Sequence, residues 1–218
     1  TGNQNTLVGG LAGDALTDAD FNVVVGVNAL TTDTKGSGAV AIGHSALATQ
    51  NFATATSNYN VSVGFQSGLA ITTGFHNTFV GGFAGDALTD ADFNTDTLGS
   101  KSTAIGTQAL GSQNFTTATD SFNTAVGFKA GLSVTVGQSL TLIGALAGDA
   151  ITTGSHNVAV GTEALTSNTQ GSRNVAVGRQ ALNAMNATTA TETFNVAVGD
   201  QAGISVTTGV HNSLLGAL

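Results

Sequence analysis

The chain has 218 residues, of which 41% are hydrophobic and only 8% carry a charge, about a third of the share usual in soluble proteins. This composition argues against a disordered polymer, and the lack of Cys excludes a disulfide scaffold. Five basic residues against 13 acidic ones give a net charge of -8, which argues against a nucleic-acid partner, and no apolar run is long enough to cross a bilayer.

From its first residues onward the chain repeats one pattern, Asn–x–x–(Val/Ile/Leu)–Gly. Successive pattern glycines are 17 residues apart in most steps and 21 or 25 in the others. A repeat that covers a whole chain determines its architecture. We call the glycines of the pattern the rung glycines: Gly9, Gly26, Gly43, Gly64, Gly81, Gly106, Gly127, Gly144, Gly161, Gly178, Gly199 and Gly216.

Each copy has the residue chemistry of a short strand. A bulky aliphatic residue precedes every rung Gly, and Thr, Val or Ser lies two residues before it. The Gly is expected to end the strand with a positive φ or a close backbone approach. A tight turn, a second short strand of small residues and a polar loop are then predicted to complete the copy.

One such unit cannot bury its own apolar side, whereas stacked units form a continuous core. The predicted fold is therefore all-β, a parallel β-solenoid or β-roll of about twelve short rungs. Stacked Asn side chains are expected to form an amide ladder between rungs. At roughly 4.8 Å per rung, the rod would be on the order of 55 Å long.

A longer period is superimposed on the rungs. Large residues occupy the positions two before and two after Gly9, Gly81, Gly144 and Gly216. They divide the chain, taken as a single repeat-built segment over residues 1–218, into superrepeats of approximately 1–72, 73–135 and 136–207, with the next starting at 208–218. The middle superrepeat lacks one rung and has an insertion, Thr95 to Ser102. Because 208–218 repeats 1–11 in register, we expect a segment of a longer fibre, or ends covered by other subunits.

The three 21-residue spacings contain matching extra residues, which begin Gln50-Asn51-Phe52, Gln113-Asn114-Phe115 and Met185-Asn186-Ala187. They are predicted to bulge from one side of the rod. Phe52 and Phe115 are the candidate surface-binding residues of these loops.

The phrases TGSHNVAVGTEAL, QGSRNVAVGRQAL and FNVAVGDQAG resemble the repeats of trimeric bacteriophage tail-fibre proteins, and they are similar to the head repeats of trimeric autotransporter adhesins. The resemblance covers essentially the whole chain. It implies a homotrimer, intertwined or side by side around a three-fold axis, located in a virion tail fibre or at a cell surface. Adhesin heads have shorter rungs, which favours the phage fibre.

A second, independent argument for a trimer comes from the residues. Apolar columns on both faces of each strand would leave one hydrophobic side of a monomer exposed, and three chains could bury it. The expected function is a non-enzymatic fibre shaft that supports attachment to a host cell. The alternatives are a bacterial surface adhesin, a module whose bulges bind host glycans or a protein receptor, and a self-assembling extracellular filament.

Candidate chemistry is sparse, and no cofactor is expected. His76, His156 and His211 each precede a pattern Asn, so a trimer could form imidazole rings that hold a metal ion. The same slot holds Gln4 and Ser139 in other copies, which favours loop histidines that pack on the neighbouring rung.

The carboxylates show no catalytic or metal-binding arrangement. The two identical acidic loops lack calcium-loop spacing and are expected to be solvated turns, and the only two glutamates lie in different rungs. These carboxylates are Asp14, Asp18 and Asp20, then Asp86, Asp90 and Asp92, and the glutamates Glu163 and Glu192.

Overall fold

The computed structural model describes residues 2–86, 99–115, 117 and 119–218. In these residues the chain is all-β, and its eighteen strands are two or three residues long. In chain order the strands are β1 (Thr6–Val8), β2 (Val23–Val25), β3 (Gly36–Ser37), β4 (Val40–Ile42), β5 (Thr56–Ser57), β6 (Val61–Val63), β7 (Thr78–Val80), β8 (Gly99–Ser100), β9 (Thr103–Ile105), β10 (Thr119–Asp120), β11 (Thr124–Val126), β12 (Thr141–Ile143), β13 (Val158–Val160), β14 (Gly171–Ser172), β15 (Val175–Val177), β16 (Thr191–Glu192), β17 (Val196–Val198) and β18 (Ser213–Leu215).

The twelve three-residue strands form one parallel sheet that follows the chain order from β1 to β18. Pairing is in register, so that Val158 of β13 pairs with Val175 of β15, which pairs with Val196 of β17. Each strand belongs to one copy of the sequence pattern. The predicted β-solenoid is confirmed, with twelve stacked strands joined by about eleven turns.

The middle residue of each three-residue strand points into the rod. It is fully or almost fully buried in every rung from β2 to β17, and in most of these rungs it is Ala. The facing wall is formed largely by the residue three after the rung Gly, also mostly Ala. The core is therefore thin, since small side chains meet across it.

The superrepeat seen in the sequence corresponds to a change in how the core is packed. Where the strand supplies a large residue, the position four after the rung Gly is Gly, as in Phe79 with Gly85 and Leu142 with Gly148. A Cβ at Gly85 would lie 2.3 Å from Cε1 of Phe79. Where the strand supplies Ala104, that position is Leu110. Other rungs have small residues at both positions, as in Ala125 with Gly131, and there Leu110 and Leu142 of the neighbouring rungs occupy the space. The interior is thus kept filled.

The rung glycines allow neighbouring turns to approach closely. Gly161 has a φ of +137°, and a Cβ there would lie 2.4 Å from the carbonyl oxygen of Gly178 in the next rung. Both expectations for this column, a positive φ and a close backbone approach, are confirmed.

Buried Asn side chains connect successive rungs. The Oδ1 of Asn157 accepts the backbone N–H of Asn174 at 2.9 Å, Asn174 accepts that of Asn195 at 3.1 Å, and Asn195 accepts that of Asn212 at 3.0 Å. The Nδ2 of Asn157 donates to the carbonyl of Gly171 at 2.8 Å. The predicted ladder is confirmed, although most of its partners are backbone groups.

The second strand predicted after each rung Gly is wrong. These residues form turns in which the second residue, and often the fourth, has a positive φ: 57° at Glu163 and 55° at Leu165. Extended strands need a strongly negative φ, so the sequence cannot continue as a strand there. We call the position four residues before each rung Gly the Asn column; it is Asn in nine copies and Ala39, Ser102 or Leu140 in the others. The three remaining two-stranded sheets, β3–β5, β8–β10 and β14–β16, lie instead just before this column.

Candidate functional site

The most distinctive surface of the rod is the outward side of its long sheet. Because side chains alternate along a strand, the first and third residues of every three-residue strand point away from the core. We call these two columns the outer face. The first column contains Thr6, Val23, Val40, Val61, Thr78, Thr103, Thr124, Thr141, Val158, Val175, Val196 and Ser213, and the second contains Val8, Val25, Ile42, Val63, Val80, Ile105, Val126, Ile143, Val160, Val177, Val198 and Leu215.

The outer face is apolar and partly open to solvent. Apart from Ser213 and Leu215, each of its residues is Val, Ile or Thr, and none of its residues is charged. None is buried, and several, such as Ile105 and Ile143, are 39% exposed. Large exposed apolar patches are rare on soluble monomeric proteins and mark interaction sites.

Two further exposed columns flank the outer face. The leading border is the residue before each position of the Asn column: Gln4, Phe21, Gly38, Tyr59, His76, Lys101, Phe122, Ser139, His156, Arg173, Phe194 and His211. The trailing border is the residue after each rung Gly: Gly10, Val27, His44, Phe65, Gly82, Thr107, Phe128, Ala145, Thr162, Arg179, Asp200 and Ala217.

The leading border is a stack of aromatic and cationic side chains along the rod. Tyr59 stacks on His76 with ring centroids 5.6 Å apart, and Phe194 stacks on His211 at 5.4 Å. The Arg173 guanidinium lies over the Phe194 ring at 5.7 Å. Successive rungs bring these side chains together because each contributes one residue to the column at strand spacing.

Two of the cations on this border also have an acidic partner. Arg173 pairs with Glu192 at 2.7 Å, and Lys101, which lies 5.3 Å from the Phe122 ring centroid, pairs with Asp120. Both pairs are solvent-exposed, so they contribute little to stability. Their effect is to neutralise the cations of the leading border.

The trailing border also contains aromatic contacts. His44 stacks on Phe65 with centroids 5.2 Å apart, and Phe65 meets Phe83 edge-on at 5.3 Å. Nearer the last rungs the border becomes charged, with Arg179 paired to Asp200 at 2.9 Å.

The three predicted histidines lie on the leading border but in rungs that are far apart. His76 and His211 pack on the aromatic ring of the preceding rung, while His156 donates its backbone N–H to the Gln138 carbonyl at 2.9 Å. Within the described part of the chain, no three His, Cys, Asp or Glu side chains lie close enough together to hold a metal ion. A single chain therefore does not bring these histidines together.

The predicted role of Phe52 and Phe115 as surface-binding residues needs correction. Their side chains are only 6% and 3% exposed. The backbone N–H of Phe52 donates to the buried Asp33 carboxylate at 3.1 Å, which holds the start of the bulge against the rod. Both rings pack inward because a large apolar side chain at the base of a loop gains more from burial than from solvent.

The carboxylates of the first acidic loop accept hydrogen bonds from different partners. Asp14 accepts the Thr31 hydroxyl at 2.7 Å, and Asp20 accepts the Asn3 backbone N–H at 2.6 Å. Burial raises the pKa of Asp86 to about 6. Asp90 and Asp92 lie outside the described residues, as does the first half of the insertion that begins at Thr95.

The remaining carboxylates do not converge on one site. Glu163 accepts the Gln180 side-chain N–H at 2.7 Å beside the trailing border, whereas Glu192 pairs with Arg173 at the leading border. Burial raises the pKa of Asp149, with a smaller contribution from Glu163.

No family model matches the chain, and neither the curated proteins nor the solved structures contain a significant match. Among the described residues, no helix is long and apolar enough to cross a membrane. Structure and sequence therefore carry the functional argument by themselves.

Sequence reasoning missed the two borders as surfaces. The signal was present, because aromatic residues occupy the leading border in every 21-residue rung: Tyr59, Phe122 and Phe194. Recognising it required the knowledge that this slot faces outward beside the sheet.

Proposed function

We propose that the chain is a shaft segment of a trimeric fibre, a phage tail fibre that supports attachment to a host cell surface. The observation that carries this proposal is the outer face, an uncharged stripe of Val, Ile and Thr that runs along the whole rod. Its mechanical role follows from backbone ladders and packed turns, which make a stiff spacer between an attachment point and a receptor-binding end.

The chemistry of the outer face suits a permanent protein partner. β-branched side chains have few rotamers, so burying them costs little conformational entropy. The face is uncharged in every rung and β-branched in all but the last, and a partner of equal length and matching repeat would cover all of it. Other copies of this chain meet that requirement.

Closed rings of identical chains cover such a stripe without leaving a new one exposed. Three copies around an axis parallel to the rod would turn their outer faces inward and place the charged loops outside. The resemblance of the repeats to trimeric fibre proteins favours three copies over two. The same assembly would suit the head of a bacterial surface adhesin, which is the second candidate function.

Direct receptor binding through the bulges has less support, because the Phe52 and Phe115 rings are buried. Glycan or protein receptors are more readily assigned to other parts of a fibre than to its shaft.

The proposal is tested by placing charge on the outer face. Val160→Lys with Val177→Lys should convert a trimer into a monomer of 21.4 kDa in size-exclusion chromatography with light scattering. The matched control, Thr153→Lys with Gln170→Lys, adds the same charge on the loop side of the same part of the rod and should leave the trimer intact. A wild-type monomer, or equal behaviour of the two variants, would overturn the proposal.

A further inference from the structure

We infer, resting on the proposed trimer, that the leading border of each copy packs against the trailing border of its neighbour, rung against rung. Exposed hydrophobic side chains on the two borders indicate which residues of neighbouring copies meet. Tyr59 and Phe122 on the leading border are 58% and 56% exposed, and Phe65 and Phe128 on the trailing border are 49% and 51% exposed.

These exposed rings are matched by rung. Tyr59 and Phe65 flank the same strand, β6, and Phe122 and Phe128 flank β11. Phe21 and Val27 flank β2 in the same way, and both are exposed. An apolar residue on one border thus accompanies an apolar residue on the other.

Size is matched as well. His76 shares its rung with Gly82, so that a ring on one border accompanies an open position on the other. Gly38 shares its rung with His44 but is already covered by the Tyr59 ring, whose Cδ1 would lie 3.1 Å from a Cβ there. A Cβ at Gly82 would meet only one heavy atom within 4 Å, the Phe65 carbonyl oxygen at 3.8 Å, which leaves room for an incoming side chain.

Contacts within one chain do not explain this matching. The two borders are six residues apart in sequence, on opposite sides of the outer face. Among the described residues, Tyr59 and Phe194 make ring contacts along the leading border, whereas Phe65 contacts His44 and Phe83, so none of these contacts joins the two borders. A contact between two copies can bring them together.

Rotational symmetry supplies the register. In a ring made by rotation about an axis parallel to the rod, the contact is head to tail, and one border of a copy meets the opposite border of the next. Rotation without translation keeps each rung at the same height. Tyr59 then meets the partner subunit's Phe65, and Phe122 meets the partner subunit's Phe128.

The charged rungs fit the same contact because they are already neutralised. Arg173 and Arg179 share a rung, and each is paired with an acid of its own chain, Glu192 and Asp200. Their meeting across the interface would therefore join two ion pairs and not two isolated cations. Besides Arg173 with Arg179, three rungs have no apolar or size match: Lys101 with Thr107, His156 with Thr162, and Phe194 with Asp200.

The ring orientations favour a protein partner over a sugar. Tyr59 has one face covered by His76, with an interplanar angle of 13°, and Phe122 has the Lys101 ammonium over its ring. Sugars stack on open aromatic faces, whereas ring edges that project from a column suit edge-to-face contacts with another ring.

The test uses disulfide crosslinking, which is clean because the chain has no Cys. Ser139 and Ala145 flank β12 on the leading and trailing borders and are both half-exposed. Ser139→Cys with Ala145→Cys should shift the chain from the monomer band to a trimer band on a non-reducing gel, and reductant should reverse the shift. Either single variant should remain at the monomer band, since head-to-tail contact never brings a border against itself.

The matched control pairs the same borders out of register. Ser139→Cys with Thr107→Cys places the two thiols two rungs apart, about 10 Å along the rod, beyond the reach of a disulfide. The control should stay at the monomer band. Light scattering and thermal melting of the reduced proteins check that each variant is assembled and folded.

The outcomes separate the two proposals. A reduced protein of trimer mass whose Ser139/Ala145 pair does not crosslink, or crosslinks no better than the control, overturns the border pairing and leaves the fibre shaft standing. A wild-type chain that is monomeric overturns both the fibre shaft and the border pairing. A trimer band with the in-register pair alone supports both.

Discussion

Two 21-residue rungs, those that end at Gly127 and Gly199, satisfy the same buried groups in different ways. In the later rung the ladder is continuous from Asn174 to Asn195, and the bulge begins with Met185. In the earlier rung the ladder position is Ser102, and the bulge begins with Gln113, whose Oε1 accepts the Asn123 side-chain N–H at 2.9 Å. An amide is thus moved from the strand to the bulge.

The first superrepeat repeats this exchange. Its ladder position is Ala39. The Asn58 side chain accepts the Asn60 backbone N–H at 2.9 Å in place of a ladder Asn, and Gln50 accepts the Asn60 side-chain N–H at 2.7 Å. Gln therefore occurs at the start of the bulge where the ladder lacks Asn, and Met occurs where the ladder has it. The lesson is that a solenoid tolerates a change in one column if a neighbouring side chain supplies the missing acceptor.

The largest expected change in the free energy of unfolding comes from substitutions in the core, which runs continuously through both 21-residue rungs. Phe79→Ala should lower the free energy of unfolding by about 3–5 kcal/mol, because Gly68 and Gly85 beside the ring have no side chains to fill the void. Leu142→Ala, the equivalent change in the next superrepeat, should cost about 2–4 kcal/mol. Chemical denaturation at one protein concentration measures both, and equal stability of Phe79→Ala and the parent would contradict the packing account.

The exchange between ladder and bulge is tested by recreating it. Asn174→Ser should cost about 2–3 kcal/mol, because the buried Asn195 N–H loses its acceptor. Adding Met185→Gln should recover less than half of that loss, because Gln113 accepts the side-chain N–H of Asn123 and not its backbone N–H. A double variant no more stable than Asn174→Ser would show that the two positions are not coupled.

A smaller, pH-dependent effect is expected at Asp86. Its pKa is raised from 3.8 to about 6 by burial, so its contribution to stability is present below pH 3.8 and is lost as pH rises through about 6. Asp86→Asn should therefore stabilise the protein by roughly 2 kcal/mol at pH 8 and leave it nearly unchanged at pH 4.

The control for Asp86 is Asp14→Asn, at the equivalent position of the first superrepeat, where the carboxylate is exposed. Thermal melting across this pH range should show no stabilisation by the control. A flat pH difference between Asp86→Asn and the parent would contradict the assigned burial effect.

The smallest effect concerns the exposed ion pairs of the same two regions. In the charged-face variant Val160→Lys with Val177→Lys, which is expected to be monomeric, Lys101→Ala and Arg173→Ala should each change stability by less than about 1 kcal/mol, since both pairs are solvent-exposed in a single chain. Raising the salt concentration should reduce the difference further. A loss of several kcal/mol from either substitution in that monomer would contradict this.

Much of the fold could be predicted from the sequence because it depends on positions that recur in every copy of the repeat. The rung glycines, the inward Ala and Phe79 or Leu142, and the Asn ladder all recur at a fixed place in each copy, so a repeat displays them directly. The second strand after each Gly could not be excluded in this way, because small residues such as those of the Glu163 turn suit both strands and turns with a positive φ.

The candidate surface was only half predictable. Apolar columns on both strand faces imply an exposed face, and the outer face is present. The borders and the burial of Phe52 and Phe115 depend on where the chain turns, which periodicity alone does not determine. Sequence reasoning therefore placed the aromatic surface on the bulges, whereas the exposed rings lie beside the sheet.

Association of this rod through its outer face into a closed trimer can be measured by sedimentation equilibrium of the unmodified chain. We expect a mass three times the 21.4 kDa of the chain, unchanged over a wide range of protein concentration. A mass of one chain, or one that keeps rising with concentration, would contradict it.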